Sequence, residues 1–81
     1  MENTAARQKE ARELWVRALR SGLYKQGELY LHRGDEYCCL GVACEIYPGG
    51  LEVRWDDTGV ISYDGEKNLL PSAVRDWLGL R

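Results

Sequence analysis

The chain has 81 residues, with 11 Lys and Arg against 13 Asp and Glu, for a formal net charge of −2. That length holds one domain, residues 1–81, whose core outweighs conformational entropy by only about 3 to 5 kcal/mol. No overall positive field exists to attract duplex nucleic acid or an anionic membrane surface, and no apolar run approaches the ~18 residues of a membrane span. A soluble, unsecreted protein is expected.

Thr4 is placed to cap a first helix, in which Ala11, Leu14, Trp15, Ala18 and Leu19 recur at helical spacing and form the stripe that packs on a core. Ser21 and Gly22 end it. The opposite face carries Arg12, Glu13, Arg17 and Arg20. Two short strands follow, over 28–32 and 36–38, as a hairpin around Gly34 and Asp35.

Leu40, Val42, Ala43, Cys44, Ile46 and Tyr47 then describe a short, deeply buried second helix, stopped at Pro48, Gly49 and Gly50. A second hairpin is read from Leu51–Trp55 and Val60–Tyr63, with Asp56, Asp57, Thr58 and Gly59 as its turn. There the two aspartates serve turn geometry. Pro71 suits the first position of a last helix that buries Val74, Trp77 and Leu78 and ends at Gly79. Helix, hairpin, helix, hairpin, helix makes an α+β fold: a small antiparallel sheet, the two hairpins joined, with three helices packed on it.

Three cysteines, two of them adjacent, suit reduced thiols in a cytoplasm better than a disulfide framework. Cys38, Cys39, Cys44 and the sole histidine, His32, could supply four zinc ligands in number. Structural zinc sites, however, separate paired cysteines by two to four residues, and neighbours in a strand point to opposite faces. No metal and no cofactor are therefore expected. A cysteine enzyme would need His32 to reach Cys38 across the hairpin, and no phosphate loop or Ser/His/Asp set can be assembled. The thiols are read as compact apolar filler.

With no Phe, 3 Trp and 5 Tyr, every aromatic residue has one wet edge, as at ligand walls and subunit contacts. Arg20, Lys25 and Gln26 offer donors beside the flat ring of Tyr24, between Gly22 and Gly27. With Arg33 and Tyr37, they form the candidate site for a small anionic, nucleotide-like ligand, since guanidinium pairs with phosphate while a base stacks. The competing class is a module that binds another protein through Trp55, Tyr63 and Trp77. So short a chain is also expected to bury aromatic surface in a homo-oligomer.

Three blocks carry a family resemblance: Trp15–Gly27 with W, ALRSG, Y and QG; Tyr37–Cys44 with YCCLGV and a third Cys; and Leu70–Leu80 with LP, V and WLGL. They resemble small uncharacterised bacteriophage and prophage proteins. This likeness implies action in the host cytoplasm by stoichiometric binding. The target would be a host protein or, in the leading reading, a nucleotide-derived immune signal that the protein sequesters without catalysis.

Overall fold

The fold is that of a computed structural model, and it describes residues 4–80. The elements run α1 (Thr4–Arg20), β1 (Lys25–Gln26), β2 (His32–Arg33), β3 (Glu36–Tyr37), α2 (Cys39–Ile46), β4 (Val53–Trp55), β5 (Val60–Tyr63) and α3 (Ser72–Leu78). The α+β class and the helix–hairpin alternation match the sequence reading. The five strands form one sheet in the order β1-β3-β2-β5-β4.

The two hairpins join as expected, β2 lying antiparallel to β5 with His32 opposite Ile61 and Arg33 opposite Val60. An additional strand makes the sheet mixed: β1 pairs parallel to β3, Lys25 with Glu36 and Gln26 with Tyr37. The strand expected over 28–32 shrinks to its last residue and Arg33. Leu29 takes a left-handed φ of 74°, and the Leu31 N–H donates to the Lys67 carbonyl at 2.7 Å rather than to a neighbouring strand. A leucine in that conformation is uncommon and interrupts an extended ladder.

Of the residues in α1, only Ala11 is fully buried, while Leu14 and Leu19 remain 49% and 42% exposed. The helix meets α3 along its first half and α2 along its second, so its seam narrows to the line of Ala11 and Trp15. The Trp15 indole N–H donates to the Cys39 carbonyl at 2.7 Å, fastening α1 to the start of α2. Thr4, expected as the cap, is instead helical and is the first described residue of α1.

At the far end, Gln8 Nε2 donates to the Asp76 carbonyl at 3.0 Å and Arg12 Nη1 to the Leu78 carbonyl at 2.7 Å. These bonds satisfy the last carbonyls of α3 and set a cation at its negative end. Gly79, at φ 73°, completes the stop. Pro71 precedes α3 as its N-cap rather than standing at its first position, with extended ψ of 146°.

Leu31, Ala43, Cys44, Tyr63, Val74 and Leu78 meet in the core. A Cβ on Gly41 would lie 1.6 Å from the Leu31 carbonyl oxygen, so only glycine lets α2 approach β2 this closely. The Cys38 N–H donates to that same oxygen at 3.1 Å. Gly41→Ala is expected to destabilise the fold by about 3 kcal/mol through backbone displacement. A lower urea midpoint at unchanged slope checks this; an unchanged midpoint contradicts it.

Candidate functional site

Where β1 and β3 meet the start of α2, a cleft of about 250 Å³ is lined by Leu19, Tyr24, Gln26, Tyr37, Cys38, Cys39 and Val42. The parallel β1–β3 pair builds it, setting Gln26 opposite Tyr37. Tyr24 meets Tyr37 edge to face, with ring centroids 5.2 Å apart. Two aromatic rings, one amide and two thiols therefore surround a space lined on its far side by aliphatic carbon.

Of the six residues expected to bind a ligand, the structure brings Tyr24, Gln26 and Tyr37 to this cleft and sets the three cations elsewhere. Strand alternation sends Lys25 away from Gln26, and its Nζ lies 3.7 Å from Asp35 and 3.8 Å from Glu36. Arg20 lines an open groove on the outer face of α1 with Lys9, Arg12, Glu13, Val16 and Arg17. Arg33 stacks over the Tyr30 ring at 5.9 Å.

Behind Tyr37 stands a polar chain whose components are scattered in sequence. His32 is buried and stacks on the Tyr37 ring at 3.8 Å. Its Nε2 is 2.8 Å from the Gly34 carbonyl, its Nδ1 is 2.9 Å from Tyr63 Oη, and that oxygen is 3.2 Å from Glu45 Oε2. The Gly34 carbonyl only accepts, so Nε2 carries a proton. Tyr63 has one proton to give. It therefore donates either to Glu45 or to Nδ1, and in the second case Glu45 turns to water, which its exposure allows. Burial raises the Tyr63 hydroxyl well above the usual phenol range, and Glu45 adds to the effect. Tyr37 is raised in the same way, by burial first and then by Glu45.

The cysteines divide by environment. Cys38 caps α2, its Sγ accepting the Gly41 N–H at 3.4 Å, and Cys39 opens the helix. Expected on opposite faces of a strand, both instead line the cleft, because the chain turns from extended to helical between them. Cys44 is core filler as expected, and burial pushes its thiol up to about 12. All three are free thiols, and among the described residues no group of three or more His, Cys, Asp or Glu side chains could hold a metal ion.

Asp56 accepts from the Thr58 N–H at 2.8 Å and from its hydroxyl at 2.6 Å, and these bonds, the hydroxyl's first, lower its carboxyl below the usual range. It is the turn residue that its sequence suggested. Of the three aromatics expected to anchor a protein partner, Tyr63 is buried in the core and Trp77 packs edge to face on Tyr47 at 5.5 Å; only Trp55 stands out, 76% exposed.

A small mixed sheet with three helices, and an aromatic cleft at the foot of the second, define a compact α+β domain. The chain belongs to the family described as Domain of unknown function (DUF8296), whose model matches residues 7–81. No curated protein and no solved structure matches it. Among the described residues, no helix is long and apolar enough to cross a membrane.

The raised Cys44 thiol and Tyr63 hydroxyl fix the sign of the alkaline response. A thiol moved from 9.0 to about 12 in the fold stabilises it fully below pH 9. That contribution fades between pH 9 and 12, by at most about 1.4 kcal/mol per pH unit. Denaturant midpoints should be flat from pH 7 to about 8.5 and then fall, with Cys44→Ala flattening the fall. In native protein at about pH 8, exposed Cys39 should react with a thiol reagent while Cys44 reacts only after unfolding.

Proposed function

We propose that this chain is a non-enzymatic binding protein of phage type, acting in the host cytoplasm, that sequesters a nucleotide-like signal by holding its base in the cleft beside Tyr24 and Tyr37. The observation that carries this reading is the pairing of two edge-to-face tyrosines with Gln26 around one cleft of about 250 Å³. Rings supply stacking surface that every base can use, at roughly 1 to 3 kcal/mol each. The Gln26 amide offers a donor and an acceptor for a base edge.

Phosphate recognition falls to Lys25 from outside the cleft: its side chain leaves the face of β1 opposite Gln26, and because β1 ends the sheet a phosphate would have to project past that edge to meet it. Its contacts to Asp35 and Glu36 are long and solvent-exposed, so exchange for a ligand phosphate costs little. Binding rather than catalysis is supported by the state of His32: both ring nitrogens are engaged, by the Gly34 carbonyl and Tyr63, so it does not serve as a base for Cys38.

Calorimetry against adenosine, AMP, ADP-ribose and a cyclic dinucleotide tests this. The phosphorylated ligands are expected to bind more tightly than adenosine. Tyr24→Ala and Gln26→Ala should each weaken binding by roughly tenfold, about 1.4 kcal/mol, and Lys25→Ala should remove the advantage of the phosphate. Absence of heat with all four ligands would retire the reading.

A further inference from the structure

β4 ends the sheet, and all three of its residues are exposed, Val53 at 47% and Trp55 at 76%. Which of its backbone groups are free follows from its ladder. Asp64 N–H donates to the Glu52 carbonyl at 2.8 Å and Asp56 N–H to the Val60 carbonyl at 3.1 Å, so the even-numbered residues bond toward β5. In an antiparallel strand the intervening residues then point their N–H and C=O groups to the other side. Val53 and Trp55 present theirs along the open edge, with no partner strand beyond β4 among the described residues.

The side chains sort in the same alternation. Val53 and Trp55 lie opposite Tyr63 and Ile61, on the face where Tyr63 joins the core. Leu51, two residues earlier, packs partly against that core. Glu52 and Arg54 share the other face and are paired with one another. An apolar row thus runs beyond the cover of the helices on one face, and a row of opposite charges runs on the other.

From this arrangement we infer that β4 is a self-pairing edge: it docks antiparallel on β4 of a second copy of this chain, across a two-fold axis normal to the sheet. Three registers would set outward-bonding residues opposite each other. Pairing Val53 with Trp55 of the second copy stacks Arg54 on Arg54. Pairing Trp55 with Trp55 drives Val53 against the partner's turn at Asp57, where Asp56 is already held by Thr58.

Pairing Val53 with Val53 avoids both conflicts. Glu52 then faces Arg54 of the second copy twice over, and Trp55 lies over the partner's Leu51 on the core side. The four charges form a closed alternating set, opposite charges being the favourable cross-strand pair. Because the axis is normal to the sheet, the helices of both copies fall on one side and the apolar row becomes continuous. Unpaired edge groups and an exposed tryptophan are removed together.

Sedimentation velocity decides the matter, with circular dichroism confirming that each variant folds. Wild-type protein should be dimeric at about 100 μM. Glu52→Arg and Arg54→Glu should each be monomeric there, association falling by roughly tenfold or more as both cross pairs become like-charged. An equimolar mixture of these two variants should associate again, because the paired arginines on the edge strand of one variant then face the paired glutamates of the other. A monomeric wild type, single variants that still dimerise, or a mixture that stays monomeric would each overturn the proposal. The ligand-binding cleft is built without β4, so none of these outcomes depends on what that cleft binds.

Discussion

The structure depends on the place where the Leu31 carbonyl meets Gly41. One oxygen accepts the Cys38 N–H at 3.1 Å and occupies the space that any side chain at Gly41 would need. That contact presses α2 onto the residue just before β2 at a distance no side chain between them would allow. It turns the chain at Cys38 and seats Ala43 and Cys44 in the core with Leu31 and Tyr63. With so few fully buried side chains, a chain of this size has little apolar area to spare, and close backbone contact makes up for it.

The cleft inherits its shape from the same junction. Cys38, Cys39 and Val42 form one wall because α2 begins where β3 ends, while Tyr24 and Gln26 form the other because β1 docks parallel on β3. Tyr37 stands between them with His32 stacked behind it, and His32 is held in turn by Gly34 and Tyr63. A ring supported on its back face and at its edge is held in one orientation.

Charge is used locally rather than globally. Gln8 and Arg12 complete α3 by bonding its last carbonyls, Lys25 rests between Asp35 and Glu36, and Arg54 answers Glu52 on the edge strand. With a net charge of only −2, such short-range pairs, rather than a long-range field, dominate the electrostatics of the fold.

Periodicity and punctuation alone determined the α+β class, the order of helices and hairpins, the Asx turn at Asp56 and the burial of Cys44, since each depends on neighbours within a few residues. Of the six residues expected at the candidate site, three, Tyr24, Gln26 and Tyr37, lie together along the cleft. Tertiary structure decided the rest. The two-residue strand β1 has no periodicity to read, and its parallel pairing exists only because β3 lies beside it. The directions of Lys25 and Arg33 depend on which face the sheet buries, and a shift of one residue in a strand reverses that choice, while Arg20 is turned outward by the way α1 packs on α2 and α3. His32, Glu45 and Tyr63 are far apart along the chain; only the packing of α2 on the sheet makes them one hydrogen-bonded chain, because a hydrogen bond depends on distances that sequence separation does not encode.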